Sequence, residues 1–245
     1  MGEQSKITRR RALLAGGGTA VFGGGVAYVA SRSESEGQEY VPSEFHTSDG
    51  TSGFGVELAG RPLVGARDAP VDIYYWTDYL CPFCKKFETE TLPAIGEEYV
   101  ENGTVRVVVL AYPNIGQYSM PAAMWGRSVW NRVAESDPTA FWNWHTAVFD
   151  AQAESGNDWA DEETFTRLTD RVDGVDRAAV EEYRASNEGF VRETVDGDYE
   201  AARSVGLQGT PAFVLYNRES GAAGTIVGAQ PYDGFADAIE QVREA

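Results

Sequence analysis

The apolar positions between residues 71 and 110 change period twice. Val71–Trp76 (Val-Asp-Ile-Tyr-Tyr-Trp) is β-branched and aromatic, bounded by Pro70 and Asp78, and predicts a strand. From Lys85 to Glu101 the apolar residues Phe87, Leu92, Ile95 and Tyr99 recur at helical spacing. Pro93 lies inside that segment, where a missing N–H and a ring clash should kink or divide the helix. Thr104–Leu110 is a near-continuous apolar run, the pattern of a strand in a parallel sheet covered on both faces. Upstream, Gly55–Leu63 alternates loosely and predicts a short strand. Residues 117 to 204 change character, being Ala-rich and amphipathic without a strand pattern. Met120–Val133, Phe141–Phe149, Glu162–Val172, Arg177–Ser186 and Val191–Val205 predict helices there. Pro211–Tyr216 and Gly224–Gly228 then read as two short strands, and Tyr232–Glu244 as a closing helix. The fold class is therefore α/β, with a helical block of about 85 residues, the size of a small domain, inserted into the sheet.

The first residues read as an address. Thr8-Arg9-Arg10-Arg11-Ala12-Leu13-Leu14 places paired arginines ahead of an uncharged run from Ala12 to Ala30. A charged start, a mild apolar run and a twin arginine make residues 1–31 a Tat export signal or a membrane anchor. The six glycines at Gly16–Gly18 and Gly23–Gly25 weaken the run as a membrane helix, although its length would span. Gly25-Val26-Ala27 offers a weak cleavage site, so cleavage and anchoring both stay open. No cysteine follows the run, which excludes a lipoprotein anchor. Residues 32–54, rich in Ser, Glu, Gly and Asp, read as a polar linker carrying an exposed His46.

Charge fixes the solvent. The chain holds 245 residues with 38 acids against 20 cations, a net −18, and only Lys6, Lys85 and Lys86 are lysines. Without residues 1–32 the body keeps 15 cations and 37 acids, so the acidity belongs to the exported part. Such a surface does not track a phosphate backbone, which excludes nucleic acid as a partner. An acid excess almost without lysine suits concentrated salt, where at about 1 M the Debye length falls to roughly 3 Å and self-repulsion is screened. A halophilic archaeal source follows as an expectation, an ordinary acidic protein being the plainer alternative. The 42% hydrophobic fraction excludes a disordered polyanion.

Candidate chemistry rests on the two cysteines. Cys81-Pro82-Phe83-Cys84 stands between the predicted strand and helix. A thiolate is the reactive species, and a cysteine at a helix start gains one from free N–H donors and the positive dipole end. Pro82 suits a first helical position. A structural disulfide across so short a ring would constrain little of the unfolded chain. Zinc wants four ligands, and only His46 and His145 exist besides the pair, neither at ligand spacing. The redox reading is the one that explains the position.

At these residues the chain resembles the DsbA-like thioredoxin-fold proteins, which carry Cys-Pro-x-Cys after an aromatic strand. Asp78-Tyr79-Leu80-Cys81-Pro82-Phe83-Cys84-Lys85 is similar to their active-site segment, and Gly209-Thr210-Pro211-Ala212-Phe213 to their cis-proline loop. Phe141-Trp142-Asn143-Trp144-His145 is similar to a helix of their inserted helical domain. The resemblance implies a thioredoxin-like fold with an inserted all-helical domain: residues 55–116 and 205–245 as its two parts, 117–204 as the insert. It implies Cys81 and Cys84 as catalytic residues, supported by Pro82, Phe83, Thr210 and Pro211, with a cis Thr210–Pro211 bond. One departure stands out. Many members carry a buried, proton-handling glutamate six positions before the first cysteine, where this chain has Tyr75. Asp72 lies an odd number of residues away and faces the other side of the strand. Phe83 replaces the histidine of strongly oxidising members, which would make Cys81 less acidic.

The expected function is oxidation of exported proteins by dithiol–disulfide exchange, with no metal, flavin or nucleotide. Partners would be cysteine-containing exported proteins, the Tat translocase and a membrane quinone-linked re-oxidant, with the chain a monomer. A disulfide reductase or isomerase, or a client-binding chaperone module with incidental cysteines, are the competitors. His145 is expected as a satisfied packing residue rather than a catalyst, and Tyr74, Trp76 and Tyr79 as builders of the core beside the site. Lys85 and Lys86 offer a local positive field that would favour the Cys81 thiolate.

Overall fold

The computed structural model describes residues 40–48, 50, 52, 55–152 and 159–245. The twin-arginine segment and the first part of the expected linker lie outside the described residues. No helix among the described residues is long and apolar enough to cross a membrane.

The strand predicted from its β-branched and aromatic residues forms at Val71–Thr77 and becomes the centre of a six-stranded sheet. In chain order the strands are β1 (Phe45–His46), β2 (Leu63–Val64), β3 (Val71–Thr77), β4 (Val105–Ala111), β5 (Ala212–Asn217) and β6 (Ala223–Val227). Their spatial order is β1-β2-β4-β3-β5-β6. β3 runs parallel to β4 and antiparallel to β5, so Tyr75 stands between Val109 and Phe213. Every residue of β3 is buried, because apolar side chains alternate onto two covered faces. Ile73 and Tyr75 join the core that holds Cys81, Cys84 and Phe87. Tyr74 and Trp76 join the core on the other face, with Val108, Leu110 and Val214.

Helix α1 (Pro82–Glu90) leaves β3 directly and stops at Thr91, with α2 (Leu92–Ile95) and a π-helical turn at Gly96–Val100 following. Pro93 divides the segment as its chemistry requires. The helical block comprises α3 (Ser119–Val133), α4 (Pro138–Asp150), α5 (Glu162–Thr169), α6 (Arg177–Ser186) and α7 (Glu188–Ser204). α8 (Tyr232–Glu244) closes the chain. The block does not stand apart. Trp125, Trp130, Trp144 and Phe149 belong to the same apolar core as Phe87, Phe213 and Phe235.

Three expectations change. The loose alternation of Gly55–Leu63 does not make a strand along its length. Gly55 and Gly60 take φ of 93° and 69°, turning the chain, and a strand forms at Leu63–Val64, where it pairs with β4. Polar composition had placed all of 32–54 in a solvated linker. Tyr40 and Phe45–His46 instead pack on the sheet edge, where Trp142 Nε1 donates to the Tyr40 carbonyl and Phe45–His46 pairs with β2. His46 is therefore buried, not exposed. Burial and the nearby Arg67, Arg106 and Arg218 push its pKa down to about 4, which keeps it neutral.

A buried ion cluster ties block to sheet. Asp198 of α7 accepts from Arg61 Nε at 2.6 Å, from Arg127 Nη2 at 2.5 Å and from the Ala111 N–H of β4 at 2.9 Å. All three charged side chains are buried, and each guanidinium also bonds loop carbonyls at Ala59 or Gly60.

Candidate active site

Cys81 is the residue before α1, with extended φ and ψ of −83° and 118°, and Pro82 takes the first turn. The Cys81 N–H donates to the Asp78 carbonyl at 2.9 Å, which sets the chain's entry into the helix. The Cys81 carbonyl accepts from the N–H groups of Cys84 and Lys85 and from Gln152 Nε2. Gln152 also donates to the Tyr79 carbonyl, so the chain just beyond α4 braces the turn. The Asp78 carboxylate takes N–H bonds from Leu80, Asn114 and Ile115, joining the ends of β3 and β4.

Beneath this turn an aromatic stack fixes α1 to the sheet. Phe87 lies 4.9 Å from Tyr75, 4.6 Å from Phe213 and 5.3 Å from Phe235 between ring centroids. On the other flank α3 approaches Tyr79 closely enough to need glycine. A Cβ at Gly126 would stand 2.7 Å from the Tyr79 hydroxyl and 3.2 Å from Trp144.

The two sulfurs, both free thiols, sit in different surroundings. Cys84 is fully buried on the inner side of α1, and burial pushes its pKa well above the usual thiol value. The Cys81 pKa falls to about 6. The Cys84 thiol donating to its sulfur is the largest cause, and the N–H groups of Cys84 and Phe83 add to it against the cost of burial. The acidity expected to suffer without a histidine at Phe83 thus comes from the partner thiol and the helix start. The lysines do not contribute it. Lys85 Nζ turns to the carbonyls of Asp150 and Gln152, and Lys86 pairs with Glu90 on the surface.

The Thr210–Pro211 peptide bond is cis, and the Thr210 carbonyl stands 3.3 Å from the Cys81 sulfur. The turn before β5 thus meets the turn before α1, two segments 129 residues apart in the chain. Phe83 projects into solvent beside them, 61% exposed. Cys81, Cys84, Phe83, Thr210 and Pro211 therefore form one end of the sheet, with Pro82 in the connecting turn.

Tyr74 and Trp76 do not stand beside the site. The alternation of β3 sends them to the opposite face, where Tyr74 donates to Asp72 and Asp72 pairs with Arg106. Tyr79 alone of those three borders the cysteines. His145 is buried, stacked on Trp142, with Nδ1 bonded to the Tyr79 hydroxyl and Nε2 to Glu88, each at 2.9 Å. Gln152, which braces the Cys81 turn, and Glu88, which holds His145, were not legible beside the site: Glu88 looks like an ordinary helix surface in sequence, and Gln152 carries no local signal.

Known proteins share this fold. Residues 58–241 match the family model described as Thioredoxin. The chain is 25% identical over 184 residues to disulfide bond formation protein D of Bacillus subtilis, covering 75% of this chain and 78% of that protein. The crystal structure of oxidised BdbD from Bacillus subtilis superposes with a TM-score of 0.66 at 25% identity, covering 81% of this chain and 100% of that one. Wolbachia pipientis α-DsbA1 shares the fold, with a TM-score of 0.64 at 18% identity, covering 77% and 93%. The chain belongs to the thioredoxin family and is a disulfide oxidoreductase of the DsbA-like kind.

Proposed function

We propose that this protein oxidises the thiols of exported proteins through Cys81 and Cys84. The observation that carries the reading is the asymmetry of the pair: a Cys81 thiol at about 6 beside a fully buried Cys84. Stabilising the Cys81 thiolate stabilises the reduced protein, which makes its disulfide the stronger oxidant. The naming of the Bacillus subtilis relative for disulfide bond formation supports the same direction.

In the oxidised form a substrate thiolate attacks the Cys81 sulfur. A substrate–Cys81 disulfide forms, the Cys81–Cys84 bond breaks, and Cys84 leaves as a thiolate that takes up a proton. A second substrate thiolate then attacks the substrate sulfur and expels Cys81 as a stable thiolate. The substrate pair has lost two electrons and the protein has gained them. The exposed Phe83 ring and the Thr210 backbone flank the place where an extended substrate segment would lie, an instance of strand addition. The reaction so drawn uses the cysteine pair alone, and a membrane quinone-linked oxidase would return it to the disulfide.

The Tat reading of residues 8–14 places the work outside the cytoplasm, and the acidic body suits brine. Replacing Arg9 and Arg10 together by lysine should block export, and normal secretion of that variant would refute the route. The activity is tested by trapping in cells. Cys84→Ser should accumulate mixed disulfides between Cys81 and secreted clients, and Cys81→Ser should abolish them. Clients held through Cys84 alone would overturn the assignment of the attacking residue. Alkylation of the native protein should find the pair mainly oxidised, and a mainly reduced pair would assign it to reduction instead.

A further inference from the structure

Lys85 and Lys86 are the only lysines after Lys6, and Lys85 immediately follows the cysteine pair. Its ammonium is spent on main chain: Nζ donates to the carbonyls of Asp150 at 3.3 Å and Gln152 at 3.2 Å. Those carbonyls lie where α4 ends. The last carbonyls of a helix have no partner within it and carry the negative end of its dipole. The last turn of α4 holds no basic residue, so α1 supplies the cation from outside. A compact ammonium can serve two separate carbonyls from one atom, whereas the guanidinium fork is shaped for the paired oxygens of one carboxylate.

The chain held in this way returns the contact. Gln152 is buried, and its N–H bonds back to the Phe149 carbonyl at 3.1 Å, closing the end of α4. Its Nε2 donates to the carbonyls of Tyr79 at 2.9 Å and of Cys81 at 3.2 Å. Only the nitrogen end of the amide can meet two carbonyls, one hydrogen to each. The two belong to the turn that leads from β3 into α1, so Gln152 fixes the peptide planes on either side of Leu80 and Cys81. The second plane also takes the N–H groups of Cys84 at 3.0 Å and Lys85 at 3.2 Å. Its orientation sets how the Cys81 sulfur stands to the N–H groups of Phe83 and Cys84, and to the Thr210 carbonyl 3.3 Å away. Lys85 and Gln152 thus form a reciprocal clasp between α1 and the end of α4.

We propose that Gln152, held by Lys85, is a positioning residue of the exchange reaction, through which the helical block aligns the Cys81 sulfur with the start of α1. Gln152 touches no reacting atom. It acts through the Cys81 carbonyl, 71 residues away in the chain, and Lys85 acts through Gln152 without adding a field of its own at the sulfur. The direction of the effect is fixed by what the turn presents. With the two carbonyls released, the turn samples angles at which the Phe83 and Cys84 N–H groups no longer meet the sulfur. The thiolate then loses stabilisation while the thiol loses little. A less stable thiolate makes the reduced protein less favoured and its disulfide a weaker oxidant. Gln152 is neutral and does not titrate, so its influence on Cys81 is one of geometry.

The inference rests on exchange through Cys81 and Cys84, and the two fail differently. The native protein, Gln152→Met, Lys85→Met and the double variant are titrated by thiolate absorbance and equilibrated with glutathione. Gln152→Met keeps the length of the side chain and loses both donors. Its Cys81 midpoint should rise by about one pH unit, and the glutathione equilibrium at neutral pH should shift about fivefold towards the disulfide. Lys85→Met should move both in the same direction, and the double variant no further than Gln152→Met, because the lysine acts through the glutamine. A contact that only stabilised the fold would lower the melting temperature and leave the midpoint in place, and that outcome in Gln152→Met would overturn the proposal. Shifts that add in the double variant would give Lys85 a direct field at the sulfur and overturn the clasp. If Gln152→Met fails to fold, Lys85→Met decides, and a native midpoint there overturns the proposal too. A native protein whose cysteine pair does not exchange with glutathione at all would overturn the exchange reading itself.

Discussion

At the scale of single residues, the site works by giving two identical side chains opposite surroundings. Cys81 sits at the start of α1, where the N–H groups of Phe83 and Cys84 face its sulfur, and Cys84 sits one turn inward with no solvent at all. The consequence for pH has a definite sign. With Cys81 at about 6 in the fold and 9.0 as the ordinary value, the unfolded reduced chain binds a proton across that window that the native chain does not. Reduced protein should therefore gain stability as pH rises from about 6 to about 9, and lose that gain as pH falls through 6. Denaturant unfolding of the reduced and oxidised forms across this range checks it, since the disulfide removes the dependence. Alkylation of Cys81 by iodoacetamide should follow the same midpoint, near 6.

At the scale of elements, the arrangement depends on where α1 starts and what lies against the sheet edge. α1 begins at Pro82 because proline needs no N–H partner there, and it is held by Phe87 between Tyr75, Phe213 and Phe235. Phe87→Ala should destabilise by about 3–5 kcal/mol, the cost of a large buried aromatic, and loosen the Cys81 turn, measurable as slower exchange with glutathione disulfide. The edge strand β1 carries its own pH sensitivity. His46 is neutral there, so between about 6.5 and about 4 the unfolded chain takes up a proton that the fold refuses. Stability should fall with acid through that window, and His46→Leu should flatten the fall in an unfolding series by pH.

At the scale of the whole molecule, one shared core and one buried charge cluster bind the helical block to the sheet. Removing Asp198 would leave Arg61 and Arg127 buried without their carboxylate. Asp198→Ala should cost about 3–5 kcal/mol, read as a lower denaturation midpoint, because an uncompensated buried charge is expensive. Net charge acts over the same scale. With 38 acids against 20 cations, the midpoint should rise as salt goes from about 0.1 M to about 1 M, and a flat response would argue against adaptation to brine.

Period and turn chemistry are local, so the residue pattern alone set the order of elements from Val71 onward. β3, β4, the division at Pro93, the five helices of the block and the final strand pair were all legible for that reason. So was Cys81-Pro82-Phe83-Cys84, where spacing and the strand-to-helix position carry the chemistry within four residues. Packing settled whatever depends on which segments meet. Polar composition hid the edge strand at Phe45–His46, since a strand of two residues has no period and is held by its partner. Glu88, a helix-surface residue in sequence, met the buried His145 of α4 only through packing. Thr210 reached Cys81 across 129 residues for the same reason. Chemistry that fits within one turn can be read along the chain, and chemistry shared between a helix and a strand exists only once they pack.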